Sequence, residues 1–287
     1  MIVKKSVLCA SVYLFSSLLT SRPAIATEPV CIESPMSSSS FDDYAKNIYS
    51  RIDFGKGEKL SEGLFKKALQ GYLNLRNAGK LNTDKQVLTI ADFTKSSTAD
   101  RLWVIDLKGA KVMFHTMVAH GSGSGEDFAT QFSNNNESHQ SSLGFYVTAD
   151  CYNGEHGNSL RLNGMDNGFN SAALNRGIVV HAAEYVSKDF AQSQQRIGRS
   201  WGCPAINPKL AQPIINVIKG GTCLFVYYPQ RQYLASSYWL NKKVENVPYS
   251  APMYRPVDTK LAEATKPARR DTVVYYMNAD GTLTKRI

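Results

Sequence analysis

The sequence predicts a mainly β fold, a sandwich-like or barrel-like domain that follows a small helical segment. The first observation is that short apolar runs recur from residue 87 onward, separated by loops rich in Gly, Ser and Asn. The second is that helical spacing of apolar residues is limited to the chain before residue 80 and to one segment near residue 214. The predicted strands cover residues 87–90, 102–107, 111–120, 143–148, 159–162, 178–181 and 224–228.

Two helices are predicted ahead of the strands, as a small helical cap on the main domain. The first begins after Ser40, which can cap it, and Asp42 and Asp43 favour its first turn. The second covers residues 61–78 and ends at Gly79, a residue that readily adopts the left-handed conformation of a helix end. Its predicted inward face consists of Leu64, Ala68, Tyr72 and Leu75.

Two further elements are predicted in the C-terminal third. A helix carries Leu210, Ile214, Val217 and Ile218 on one face and is stopped by two glycines. A last hairpin is expected at residues 271–277 with its turn at 278–281. Several prolines between these elements indicate a segment that wraps over the surface.

The N-terminus has the pattern of a secretory signal peptide. Lys4 and Lys5 precede an apolar run at residues 6–19, and Ala24-Ile25-Ala26 forms a small-x-small cleavage site. An uncleaved anchor is the alternative. We expect export to the periplasm or elsewhere in the cell envelope, and no membrane span in the mature chain, because no later apolar stretch approaches ~20 residues. The predicted organisation is a signal peptide at 1–26, a linker and helical segment at 27–84, a catalytic domain at 85–235 and a C-terminal extension at 236–287.

Charge restricts the class of partner only weakly. The chain has a net charge of +9, and removing residues 1–26, which hold three basic and no acidic side chains, leaves +6. Such a surface suits an anionic cell envelope. Nucleic acid is not expected as a partner, because no nucleic-acid motif and no basic-aromatic repeat is present.

Four cysteines remain in the mature chain. Two disulfides would be the ordinary expectation in an oxidising compartment. The residues around Cys203 argue that this thiol stays free, so that Cys31, Cys151 and Cys223 allow at most one bridge within the chain. Cys223 lies in an apolar run, where it can serve as a small buried hydrophobic residue.

The densest chemical pattern is the segment from Arg196 to Ala205. Gly202 permits backbone angles that let a tight turn present the Cys203 thiol, and such a turn can direct backbone N–H groups, as an oxyanion hole requires. A thiol with a pKa near ~8.5 needs a base or a cation. His181 closes an apolar run and is the predicted base, while Arg196 and Arg199 would add positive potential.

These residues resemble the catalytic signature of L,D-transpeptidases. Gly-Ile-Val-Val-His181 precedes Ser200-x-Gly-Cys203, and the loop is similar to a branch with Arg-Ser-x-Gly-Cys-Pro-Ala. The resemblance runs from about residue 90 to 229. It includes further segments at residues 120–125, 132–134, 137–138, 141–146 and 156–162.

The resemblance implies a peptidoglycan enzyme. It implies a Cys203 thioacyl-enzyme formed on a stem tetrapeptide, with loss of the terminal D-alanine and cross-linking to a second stem. Gly202 and Ser200 would belong to the oxyanion and thiol loop, with backbone N–H groups near Gly202 and Cys203 stabilising the oxyanion. No cofactor and no metal is expected, the partners are stem peptides, and we expect a monomer.

The chain also departs from the better-known members, which place His and Arg where Trp201 and Ala205 stand. Trp201 is expected to line the cleft. Candidate substrate-binding residues are Arg161, Arg196, Arg199 and two histidines in glycine-containing loops, His120 and His156.

Three alternatives remain. Water as the acceptor would make the same site an L,D-carboxypeptidase. The seven-residue spacing of His120 and Asp127 is similar to that of zinc D,D-peptidases, but the chain lacks an E-x-x-H motif. A non-catalytic wall-binding module is the third alternative, against which the Cys203 and His181 pair counts.

Overall fold

Eight strands form one mixed sheet in the computed structural model, which describes residues 40–155 and 157–248 and the backbone of strands at 274–277 and 283–286. The strands of the sheet are β1 (Val87–Asp92), β2 (Leu102–Asp106), β3 (Lys111–Thr116), β4 (Gly144–Gly154), β5 (Gly157–Gly164), β6 (Val179–Ala182), β7 (Ala205–Ile206) and β8 (Cys223–Tyr227). Their order across the sheet is β3-β2-β1-β8-β4-β5-β6-β7. The predicted mainly β class is confirmed.

The middle of the sheet is covered on both faces. β1 is buried at every position, and it pairs in parallel with β8 and antiparallel with β2. The rings of Phe145 on β4 and Phe225 on β8 stack with their centroids 4.1 Å apart. A strand buried on both faces reads as a continuous apolar run, which is why β1, β2 and β8 could be recognised without an alternating pattern.

The helical segment is α1 (Phe41–Arg51) and α2 (Glu62–Asn77), close to the predicted bounds. Ser40 accepts a hydrogen bond from the backbone N–H of Asp43, as the capping pattern indicated. α2 approaches the sheet closely, because a Cβ at Gly71 would meet the ring of Phe145 at 2.0 Å. The predicted inward face of α2 is confirmed.

The other helices are α3 (Lys188–Gln194), α4 (Pro208–Ile218), α5 (Arg231–Ser236) and α6 (Tyr238–Asn241). The predicted face of α4 needs correction, because Leu210 and Val217 are only half-buried. Its buried residues are Ala211, Ile214, Ile215 and Ile218, so the helix is rotated towards the side of Ala211 and Ile215. α3, α5 and α6 were not predicted; they are short and begin without a long apolar repeat.

Residues on both sides of the predicted domain boundaries share one core. The side chain of Asn74 on α2 donates to the carbonyls of Trp239 and Lys242 at 2.9 and 2.8 Å, which fastens α6 to α2. Buried side chains of α2, the sheet and α6 belong to one cluster. The division at residues 84 and 235 therefore stays a prediction about sequence organisation.

Several predictions fall partly or wholly outside the described residues. The C-terminal hairpin is present as β9 (Val274–Met277) paired antiparallel with β10 (Leu283–Arg286). Other predictions concern residues outside the described part of the chain. These are the predicted turn at 278–281, the signal peptide at 1–26, the start of the linker at 27–39 with Cys31, most of the proline-containing segment and His156. Among the described residues, no helix is long and apolar enough to cross a membrane.

Candidate active site

The thiol loop runs from Ser200 to Cys203 and is folded by the Ser200 hydroxyl. This hydroxyl accepts a hydrogen bond from the Gly202 N–H at 3.0 Å and donates to the Cys203 carbonyl at 2.6 Å. Gly202 has φ +119°, in the region that favours glycine, and a Cβ there would meet the Gln140 carbonyl oxygen at 2.7 Å. The sequence Ser-Trp-Gly-Cys therefore encodes a closed turn, and Ser200 is a positioning residue within it.

A second serine fixes the loop from behind. The Ser141 hydroxyl donates to the Gly202 carbonyl at 3.2 Å and accepts from the Gly121 N–H at 3.0 Å. The backbone of residue 120 also holds the loop, since the Ser200 N–H donates to the His120 carbonyl at 3.0 Å. The sequence analysis included Ser141 and Gly121 in the family resemblance but assigned them no role, because their partners are distant along the chain.

The Cys203 thiol lies against the start of β6. The Val179 N–H donates to Sγ at 3.4 Å, and the thiol lies 3.7 Å from the Gly177 carbonyl oxygen. Burial raises the pKa of Cys203 above the ordinary thiol value, and the Val179 N–H and the Arg176 guanidinium offset only part of that rise. The resting thiol is therefore protonated at neutral pH and needs a base.

His181 lies two residues after Val179 on the same strand, so their side chains leave the same face about 7 Å apart. The parallel pairing of β6 and β7 places His181 opposite Ala205, two residues beyond Cys203. Nδ1 of His181 lies 2.9 Å from the Ala182 carbonyl oxygen. Since a carbonyl can only accept, Nδ1 carries the proton, and Nε2 is the nitrogen with the lone pair that a base requires.

Arg176 is a site residue that the sequence analysis missed. Its guanidinium donates to the carbonyls of Ser133 and Gln140, both at 2.7 Å, and to the hydroxyls of Ser138 and Ser142 at 3.2 and 2.5 Å. A Cβ at Gly202 would lie 3.3 Å from Nη2, so the cation borders the thiol loop. The available signal was an arginine directly ahead of the Gly-Ile-Val-Val-His181 run.

The oxyanion donors differ from the sequence-based expectation. The Gly202 N–H is not available for an oxyanion, because it already donates to the Ser200 hydroxyl. The Cys203 N–H has no acceptor among the described residues, and it is the donor that remains on this turn. Such a donor, fixed before the substrate arrives, is what oxyanion stabilisation needs.

The predicted substrate-binding arginines and Trp201 differ in the side chains that they contact. Arg199 and Arg196 both pair with Glu126, at 2.6 and 3.2 Å, and Arg199 also lines the cavity. Arg161 lies over the ring of Tyr152, 4.1 Å from its centroid. Trp201 is 76% exposed and stacks on the His139 ring, with centroids 5.0 Å apart.

His120 is fully buried behind the loop and does not line the cavity. Arg101 donates to its Nδ1 at 2.7 Å, and burial together with this cation lowers the pKa of His120 to about 4. Asp127 instead accepts from the hydroxyls of Ser96 and Ser97. His120 and Asp127 thus do not converge on a shared site, and the described residues contain no group of three or more potential metal ligands.

Cys203 and His181 open into one cavity of about 440 Å³. Its other lining side chains include charged and aromatic groups, namely Tyr152, Glu155, Arg176, Tyr185, Arg199 and Trp201. Cys151, Cys203 and Cys223 are free thiols, in line with the expectation for Cys203, and Cys223 is fully buried. The site therefore brings a thiol, a histidine and two arginines together in one accessible space.

Comparison with known proteins identifies the family. Residues 56–227 match the family described as L,D-transpeptidase catalytic domain, and the chain belongs to this family. A comparison with curated proteins finds no match. The branch with the Arg-Ser-x-Gly-Cys-Pro-Ala loop stays a prediction.

The comparison with solved structures finds matches of low identity to proteins described as L,D-transpeptidases. One from Mycobacterium smegmatis is 15% identical with a TM-score of 0.31, covering 50% of this chain and 59% of its own. One from Stackebrandtia nassauensis is 15% identical with a TM-score of 0.31, covering 66% and 90%. One from Xylanimonas cellulosilytica is 12% identical with a TM-score of 0.30, covering 64% and 90%. The chain thus spans about 59% of the length of the first of these.

Proposed function

We propose that this protein is a peptidoglycan L,D-transpeptidase that cross-links stem peptides through a thioacyl-enzyme on Cys203. The observation that carries the proposal is the position of the thiol. Sγ accepts from the N–H of Val179, two residues before His181 on β6, and Cys203 and His181 line the same cavity. Membership of the L,D-transpeptidase family supports the same reaction class.

In the first half-reaction, Nε2 of His181 takes the thiol proton as Sγ attacks the carbonyl carbon of the third stem residue. Because burial raises the pKa of Cys203, proton transfer accompanies the attack and no stable thiolate precedes it. The Cys203 N–H donates to the developing oxyanion. The C–N bond to the terminal D-alanine then breaks, and His181 returns its proton to the leaving amine.

In the second half-reaction, an amine of a neighbouring stem attacks the thioester. A C–N bond forms, the C–S bond breaks, and the amine proton passes through His181 to the Cys203 sulfur. Arg176 holds the loop and favours negative charge at the sulfur, while Arg199 offers a cation to a substrate carboxylate at the cavity wall. The activity belongs in the cell envelope, where stem peptides occur.

The test is incubation of the mature chain, residues 27–287, with isolated tetrapeptide muropeptides, followed by mass spectrometry. We expect cross-linked dimers that have lost one D-alanine, and none with Cys203→Ala. Tripeptide products alone would show that water is the acceptor, and the cross-linking proposal would be wrong. Absence of any D-alanine release by the folded protein would overturn the proposed function altogether.

A carbapenem provides a test of the nucleophile. Its ring carbonyl should acylate Cys203, giving one adduct on the peptide that contains this residue. Cys151→Ser is the matched control and should be acylated like the wild type, since Cys151 is also a free, half-buried thiol but lies outside the cavity. An adduct on Cys151 or Cys223 would contradict the assignment.

A chelator tests the zinc alternative. We expect turnover to be unchanged in its presence, whereas a loss of turnover would favour the zinc alternative.

A further inference from the structure

A second cavity, of about 410 Å³, includes Ser133, whose carbonyl accepts a hydrogen bond from Arg176 of the Cys203 cavity. It is lined by residues 132–135, by Leu143, by residues 167–169 and by three residues of the segment 230–236. No described residue that lines it carries a charge, whereas the Cys203 cavity contains Glu155, Arg176 and Arg199. We call it the amide cavity, because its wall includes the side chains of Asn134, Asn135, Asn167, Gln230 and Gln232.

Most of these amides are available for a ligand. Asn134 is used by the fold, since its side chain accepts from the Ala172 N–H at 2.9 Å and donates to the Ser171 hydroxyl. The side chains of Asn135, Asn167, Gln230 and Gln232 have no hydrogen-bond partner among the described residues. Each amide offers both donors and an acceptor, so together they match hydroxyl and amide groups of a neutral ligand.

Two aromatic rings in the wall are fixed by other rings behind them. Phe169 meets Tyr233 edge to face with centroids 5.1 Å apart, and Phe132 packs on Tyr228 at 4.9 Å. Both phenylalanines are half-buried, so part of each ring remains accessible from the cavity. A flat apolar surface beside several amides suits a ring that has C–H groups on its face and polar groups at its edge.

The wall is preorganised by one buried carboxylate. Asp166 accepts from the Phe145 N–H at 2.7 Å, from the Ser237 hydroxyl at 2.6 Å and from the Tyr233 hydroxyl at 3.3 Å. These bonds join the turn that carries Asn167 and Phe169 to the segment that carries Gln230 and Gln232. The cavity is therefore held open by the fold, and its volume lies within the range of ordinary ligand sites.

We propose that the amide cavity binds an uncharged N-acetylated sugar, which rests on the proposed function because the glycan strand that carries the stem peptides would supply it. The lack of charge disfavours anions and ionised peptides, and the amides disfavour a purely apolar ligand. Hydroxyl and N-acetyl groups fill the hydrogen-bonding capacity of the free amides, and the pyranose face packs on Phe169.

Hydrogen bonds of Arg176 connect the wall of the amide cavity to the thiol loop. The Ser133 carbonyl, at the wall of the amide cavity, accepts from Nη1 of Arg176, and the Gln140 carbonyl accepts from Nη2 beside Gly202. A sugar in the amide cavity would thus hold the glycan strand near residue 133, while its stem peptide reaches Cys203 near residue 140.

The test is binding to the Cys203→Ala mature chain, measured by isothermal titration calorimetry with a tetramer of N-acetylglucosamine. We expect this tetramer to bind and a glucose tetramer without N-acetyl groups to bind at least about tenfold more weakly, because the amides then lose partners. Phe169→Ala should weaken binding by roughly threefold to tenfold, the value of one aromatic contact. Asn167→Ala with Gln232→Ala, both exposed positions, provides a second variant that does not disturb the core.

Phe128→Ala is the matched control, because Phe128 is 52% exposed and lines neither cavity. Its binding should equal that of Cys203→Ala alone. No binding of the N-acetylglucosamine tetramer at millimolar concentration, equal binding of both tetramers, or binding that survives Phe169→Ala and the double amide variant would overturn the inference. If Cys203→Ala binds the N-acetylglucosamine tetramer but the wild-type mature chain releases no D-alanine from muropeptides, only the proposed function is refuted.

Discussion

His181 and His120 have similar sequence contexts but opposite surroundings. Both hold the thiol loop through backbone bonds, His120 through its carbonyl to the Ser200 N–H and His181 through the pairing of β6 with β7. His181 lines the cavity and carries its proton on Nδ1. His120 must accept at Nδ1, because the guanidinium of Arg101 can only donate, so its proton is on Nε2, which faces the Gly125 carbonyl.

The difference shows that the tautomer and the neighbouring cation decide what a histidine can do. Arg101 is itself fully buried, and its pKa falls to about 9 but stays well above neutral pH, so a permanent positive charge faces His120. A histidine beside a buried cation resists protonation and cannot serve as a base. The second arginine, Arg176, borders the thiol loop, and its positive charge lowers the pKa of Cys203 and so favours the charged form of the sulfur.

The largest predicted effect separates the two histidines by activity. His181→Ala should lower kcat/KM for D-alanine release by about a thousandfold, the usual contribution of general acid–base catalysis. His120→Asn, which keeps an acceptor for Arg101, should retain most of the activity. The measurement is steady-state turnover of a purified muropeptide. A large loss in His120→Asn with full activity in His181→Ala would reverse the assignment of the base.

The fold was largely predictable because its strands are buried and chemically uniform. β1, β2 and β8 are mostly apolar and almost fully buried, and the caps at Ser40 and Ser61 act within three residues along the chain. The buried face of α4 was predicted incorrectly because the helix carries apolar residues on more than one face. Tertiary packing buries Ile215 more fully than Val217. Local rules fix where an element starts and ends, but tertiary packing fixes which side is buried.

Only part of the site could be predicted for the same reason. Ser200, Gly202 and Cys203 form one turn, and their relation is encoded within four residues. Arg176 acts through carbonyls of residues 133 and 140, and Ser141 acts on Gly202 from 61 positions away. His120 was a candidate for substrate binding because it adjoins a glycine in a predicted loop, and its contact with Arg101 was missed because Arg101 lies 19 positions earlier.

The next prediction concerns the pH dependence of stability. Because the folded pKa of His120 is about 4, below the ordinary value near 6.5, folding favours the neutral ring. The free energy of unfolding that this preference adds is fully present above pH 6.5 and is lost as the pH falls towards 4. The loss is about 3 kcal/mol in total, of which about 2 kcal/mol falls between pH 7 and 5. Urea unfolding of wild type and His120→Asn at these two pH values measures it. Equal losses in both proteins would contradict the buried, neutral His120.

Gly202→Ala tests the turn that lies between the two histidines. The new methyl group would clash with the Gln140 carbonyl, and alanine would have to adopt φ +119°, which it disfavours. We therefore expect a loss of about 1–3 kcal/mol in stability and slower acylation by a carbapenem. Gly63→Ala is the control, because a Cβ there meets nothing within 4 Å and alanine favours the helix. Thermal unfolding and the rate of adduct formation report the two effects. A Gly202→Ala protein with wild-type acylation would show that the turn tolerates another shape.

The smallest predicted effect tests how Arg176 acts on the thiol, in contrast to Arg101, which acts on His120. If Arg176 favours the thiolate, Arg176→Gln should raise the pKa of Cys203 further and slow its alkylation by iodoacetamide at pH 7 by roughly threefold to tenfold, since the reactive fraction falls with the acid constant. Arg176→Lys keeps the charge but loses the fork that binds two carbonyls, so the pKa should change less while the melting temperature falls. Arg161→Gln, whose guanidinium lies over Tyr152, should leave the alkylation rate unchanged. If Gln and Lys variants slow alkylation equally, Arg176 acts on the loop shape alone, and the electrostatic part of the contrast with Arg101 is wrong.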